Sequence, residues 1–128
     1  MLRYLWAAPN TLIGLVAGGA ACACGSVTWQ KVDGVIEICG CGVADVLRVL
    51  SLPGVDIAAL TLGHVVLARD AKQMEHCRRH ERVHVRQYER WGPLFVPAYA
   101  FASLAAVLRG GHFYRDNAFE RAAFRGRE

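Results

Sequence analysis

Apolar and polar positions divide the chain into segments of different period. Residues 4–30 carry no charge, and the apolar run at 12–21 sits within a stretch long enough for a membrane helix. Pro9-Asn10-Thr11 and several glycines interrupt it. Three readings stay open: an uncleaved anchor or interfacial helix, a signal peptide starting at Arg3, or a buried core helix. The expected organisation is an apolar N-terminal helix over 1–26, a candidate membrane anchor, followed by a domain over 27–128.

Beyond it, residues 27–32 and 35–39 flank Asp33-Gly34, the two-residue turn typical of a tight hairpin. Residues 44–52 place Val46, Leu47 and Leu50 at helical spacing ahead of Pro53-Gly54, which predicts a short helix. Residues 61–68 read as one β-branched strand running into a helix over 73–91. That helix stops at Gly92-Pro93. A second uncharged stretch, 91–108, is about 27 Å long if helical. It is marginal for a span, and Pro93 and Pro97 predict a bent core or interfacial hairpin.

On a wheel of about 100° per residue, the 73–91 helix gathers Met74, Cys77, His80, Glu81, His84, Tyr88 and Trp91 on one side. Arg78, Arg79, Arg82, Arg86, Glu89 and Arg90 fall on the other, a stripe expected to be solvated. The first side holds His80-Glu81-Arg82-Val83-His84, an HExxH sequence. Its i, i+4 histidines lie one turn apart and can share a zinc ion, with Glu81 beside them to take a proton from water. Two imidazoles and a carboxylate on an otherwise apolar face also need partners for their polar atoms.

Composition narrows the setting. A chain of 128 residues buries one core, and at 54% hydrophobic with mean hydropathy +0.22 it is more apolar than an ordinary soluble domain. The net charge of +4 comes almost wholly from arginine, Lys31 and Lys72 being the only lysines. These arginines are interleaved with acids and lack the exposed aromatics that stack bases, so no nucleic acid is expected; anionic lipid headgroups suit them better. The five cysteines, Cys22, Cys24, Cys39, Cys41 and Cys77, lack the usual zinc-knuckle spacing and read as free thiols.

Hairpin, backing helix, strand and HExxH helix together resemble a minimal zincin zinc metallopeptidase, similar to small bacterial membrane-associated HExxH proteins over residues 57–124. The resemblance implies an α+β fold (β-hairpin, backing helix, strand, HExxH helix, C-terminal helix) at a bacterial inner membrane, with a peptide or protein substrate. It also implies that residues 65–68 line the cleft and pair with extended substrate. Gln87 and Arg90 stand where metzincins need glycine and histidine. The gluzincin pattern instead takes a glutamate from a later helix, and residues 117–123 resemble that helix, capped by Asp116 or Asn117. Glu120 is the first choice of third ligand. His112 and Asp116 come next, and Glu89 points about 140° away from His84. Should Glu120 lie elsewhere, His76, Cys77, His64 or water takes the position.

The chemistry implied by the resemblance is hydrolysis by zinc-activated water, with Glu81 as base and Tyr99 or Tyr114 near the developing oxyanion. Two alternatives stand beside it: a catalytically silent zinc domain and a basic module that binds membrane surfaces.

Overall fold

The structure, a computed structural model, describes residues 1–51 and 57–127. The fold is α+β. Helix α1 (Leu2–Cys24) leads into the hairpin β1 (Thr28–Val32) and β2 (Val35–Cys39), helix α2 (Cys41–Leu50), and strands β3 (Ala59–Leu62) and β4 (Val65–Ala68). Helix α3 (Ala71–Trp91), a 3-10 turn (Gly92–Leu94), α4 (Phe95–Leu108) and α5 (Ala118–Arg127) complete it.

The four strands lie in the order β1-β2-β4-β3. β2 runs parallel to β4, and the two outer pairs are antiparallel. The β1–β2 turn holds Asp33 at φ 52° and Gly34 at φ 79°, the double left-handed geometry that an Asp-Gly hairpin favours.

Alternation along the strands sends side chains to opposite layers. Ile38, Val65 and Leu67 pack with Ala21 of α1 and Val43 and Leu47 of α2. Val35, Val66 and Ala68 pack on the other face with Met74 and Val85 of α3. α1 thus belongs to the wall of the main core. Its buried face is Ala7, Asn10, Gly14, Gly18 and Ala21. A Cβ on Gly14 would come within 2.7 Å of the Val65 Cβ, and one on Gly18 within 2.6 Å of Ile38. The glycines that interrupt the apolar pattern are where the helix meets the sheet.

Several expectations are corrected. The single strand over 61–68 is a hairpin, β3 and β4 joined at Gly63-His64: Gly63 takes φ 63°, which a glycine adopts at no steric cost. α2 starts earlier, at Cys41, and ends at Leu50; its expected stop, Pro53-Gly54, lies outside the described residues. The 91–108 stretch bends once, at the 3-10 turn, and then forms one helix instead of a hairpin. Pro97 falls in the first turn of α4, where a missing N–H costs nothing. Trp91 does not face inward; it is 40% exposed and meets Phe119 edge-on.

The arginine stripe is also not wholly solvated. Glu37, on the α3 side of β2, is 1% exposed. Arg78 binds both of its oxygens at 2.9 Å, and Arg82 binds one at 3.0 Å. Arg82 also donates to the Val32 carbonyl, and Gln30 to the carboxylate. Leu2–Cys24 and, within Ala71–Leu108, an apolar window are long and apolar enough to cross a membrane.

Candidate metal centre

The α3 face turned away from Glu37 carries the motif. Asp70 caps the helix by accepting a hydrogen bond from the Gln73 backbone N–H, which fixes where its turns begin. His80, Glu81 and His84 are all buried. α5 lies against them, and its start is fixed by Asn117, whose side-chain oxygen accepts from the Phe119 N–H and whose amide donates to the Tyr99 carbonyl and Ser103 hydroxyl. Asn117, and not Asp116, is the cap that sets Glu120 opposite the histidines.

Glu120 is 4% exposed. Its Oε2 lies 3.0 Å from His80 Nε2 and its Oε1 3.2 Å from His84 Nε2, and the two Nε2 atoms are 3.2 Å apart. The two imidazole nitrogens are spaced like one edge of a tetrahedral site, which zinc–nitrogen bonds near 2.0–2.1 Å set at about 3.3 Å, and the Glu120 carboxylate spans that edge with one oxygen on each histidine. One imidazole nitrogen from each histidine and a carboxylate oxygen lie within 4.8 Å of one another, and the group can hold a metal ion.

The surroundings favour that use. Gln87 accepts from His84 Nδ1 at 2.8 Å, which makes Nε2 the His84 atom that would meet a metal ion at the shared point. The same Gln87 amide donates to the Phe119 carbonyl, tying α3 to α5. His80 Nδ1 is buried without a partner among the described residues, while its ring packs edge-on against Phe124. The Tyr99 hydroxyl donates to Glu120 at 2.8 Å.

Burial alone would raise the Glu120 carboxyl and lower His84. Hydrogen bonds from His80 and His84, with the His84 charge, outweigh it for Glu120 and hold it down to about 2; the Glu120 carboxylate in turn raises His84. Burial and then the charge of Glu120 push the Tyr99 and Tyr114 hydroxyls well above their usual range. Both tyrosines stay protonated donors around Glu120, which makes them supports for that carboxylate before anything else.

Other sequence candidates lie apart. Asp116 accepts from the His112 N–H at 2.6 Å, and His112 Nδ1 accepts from the Tyr114 and Arg115 N–H groups, so both belong to the loop ahead of α5. His64 pairs with Glu89 at 2.8 Å and stacks on Tyr4. His76 is exposed, and Cys77 is half-buried on the rim of the site.

A cavity of about 660 Å³ opens over the three ligand candidates, with Glu81 in its wall. The Thr61 hydroxyl of β3 donates to the Glu81 carboxylate. The strand beside the site is therefore β3, an edge strand. β4 is buried and paired on both sides, so residues 65–68 have no free edge for a substrate. Thr61 and Gln87 were not singled out by sequence reasoning. Gln87, one turn after His84 on the same face, carried a spacing signal; Thr61 carried none, because only strand register brings it to Glu81.

No known protein family, curated protein or solved structure matches the chain.

Proposed function

We propose that the chain is a zinc-dependent peptidase of the zincin type working at a membrane surface. The observation that supports this reading best is the convergence of His80, His84 and Glu120 on one point at the base of a cavity that also holds Glu81. What zinc supplies when bound there is Lewis acidity, which brings water towards neutrality and polarises a carbonyl.

The chain's own residues do the rest. Glu81, fixed by Thr61, accepts the proton of the attacking water and returns it to the leaving amine. Gln87 keeps the His84 tautomer, and Tyr99 keeps Glu120 turned towards the histidines. The outer edge of β3, which pairs with no further strand among the described residues, is available to an extended substrate beside Glu81. Membrane association is supported by the exposed apolar positions of α1, such as Leu5, Leu12, Ile13 and Val16. Because α1 packs on the end of α3 through Ala7 and Asn10 and on the sheet through Gly14 and Gly18, it serves as an interfacial helix.

The arginine-rich binding module is the weaker alternative, since Arg78 and Arg82 are spent on Glu37. The test combines metal analysis with hydrolysis. About one zinc per chain, and turnover abolished in Glu81→Gln with zinc kept, is the expected result. Zinc without turnover in the parent protein would leave a silent zinc domain.

A further inference from the structure

The cavity over the ligand group has an unusual wall. Apart from the polar groups at its base its lining is apolar, with Leu60 from β3, Val96 and Ala100 from α4, and Phe113 and Phe124 from the C-terminal segment. Among the described residues lining it there is no arginine or lysine, and no carboxylate beyond Glu81 and Glu120. A free peptide terminus is a charge, and burying it there unpaired is costly. The cavity suits an internal stretch of chain with a bulky apolar side chain.

α4 adds the direction from which such a stretch arrives. It is apolar all round, and only Phe95 and Ala106 are buried. While Val96 and Ala100 face the cavity, Phe101, Leu104 and Leu108 on other sides are 73%, 53% and 77% exposed. A helix apolar on every side is stable where something apolar covers it. Its flanks specify the cover. The uncharged stretch ends at exposed Arg90 and Arg109, and two indoles sit by the first of these, Trp91 next in sequence and Trp6, whose N–H donates to the Arg90 carbonyl. Cations and indoles at the borders of an apolar helix are the pattern that meets anionic headgroups around hydrocarbon. Cavity wall and lipid-facing surface are thus two sides of one helix.

We propose that the cavity receives an internal, apolar segment of a membrane-resident polypeptide, passed along α4 from an anionic bilayer. This rests on the peptidase reading for the site and adds its substrate class.

The test uses the Glu81→Gln protein with phosphatidylcholine/phosphatidylglycerol vesicles and an end-capped, leucine-rich peptide carrying one central benzophenone side chain. Photo-crosslinking should map to Leu60, Phe113 or Phe124. The yield should fall about tenfold or more in Val96→Trp and in Ala100→Trp, which fill the cavity and remove one apolar side chain's worth of burial. A Phe101→Glu, Leu104→Glu double variant, altered only on the outer side, should lose vesicle binding and crosslinking together while keeping its zinc. Zinc content and circular dichroism check the fold of each variant. Equal crosslinking by a serine- and glutamine-rich peptide, full yield without vesicles, or no effect of the cavity-filling changes would overturn the proposal. If the peptide crosslinks as expected but the zinc-loaded parent leaves it intact, the peptidase reading fails and the apolar site stands. If the parent cleaves polar peptides and never captures the apolar one, the reverse holds.

Discussion

Thr61 and Glu81, twenty positions apart, share a hydrogen bond in which the edge-strand hydroxyl donates to the carboxylate of the motif. In the proposed reaction this bond would leave Glu81 one fixed direction in which to accept a proton. Thr61→Val should lower turnover about tenfold at unchanged zinc content, a loss of one charge-assisted hydrogen bond. Thr61→Ser should restore most of it, since it keeps the hydroxyl. A Val variant as active as the parent would remove Thr61 from the site.

Metal content separates the ligand candidates. His80→Ala, His84→Ala and Glu120→Ala should each weaken zinc binding severely, while Glu89→Ala and Asp116→Ala should leave it near the parent value, because those carboxylates serve His64 and the His112 N–H instead. Competition titration against a chelator reads this directly. Zinc kept by the double histidine variant would exclude the site.

Gln87 gives a graded version of the same measurement. It orients His84 and holds Phe119, so Gln87→Ala should cost about 10- to 100-fold in zinc affinity, the usual effect of removing such a partner. Gln87→Glu, which keeps an acceptor for His84, should cost less. Gln87→Glu costing as much as Gln87→Ala would show that the bridge to Phe119, which both variants lose, matters more than the acceptor for His84.

Behind the motif, Glu37 carries a stability prediction with a pH sign. Burial would raise its carboxyl, but the Arg78 and Gln30 hydrogen bonds and both guanidinium charges hold it below its ordinary 4.5. The stabilisation is therefore complete above about pH 4.5 and lost as pH falls through the lower folded value. Glu37→Gln should cost about 3 kcal/mol near neutrality, as removing one partner of a buried ion pair does. The gap to the parent protein should narrow in thermal melts at more acid pH, and a constant gap down to pH 3 would contradict the assignment.

The α1 docking face can be probed at one atom. Gly14→Val places side-chain carbon against Val65 and the Leu62 backbone, and overpacking of this kind costs about 1–3 kcal/mol. The same change at Gly19, where a Cβ meets nothing within 4 Å, should be close to neutral. Denaturant midpoints of the two variants make the comparison.

The residues under test differ in how far the sequence exposes them. The Asp33-Gly34 hairpin and the grouping of His80 with His84 depend on neighbours within one turn, and local period exposes such relations directly. Glu120 came to the same point through likeness to a motif rather than through any period. The Thr61–Ala68 run reads as one strand because two short apolar strands and one long strand have the same composition, and the turn is marked only by Gly63. A helical wheel places Arg78 and Arg82 on a face but says nothing of what covers it. Their partner is a single carboxylate 41 and 45 positions earlier, in a strand where a glutamate looks like an outward residue.

α1 meets the sheet at Gly14 and Gly18 and reaches the end of α3 through Asn10, whose amide donates to the Gly92 carbonyl at 3.2 Å. No swivel separates it from the rest of the molecule. An enzyme tethered by a linker samples every height within its reach. Here the elevation of the cavity above α1 is a constant of the fold, so under the proposed peptidase reading distance from a surface bound by α1 would become a selection rule: a bond would be offered for cleavage only if its own anchorage held it at that one level.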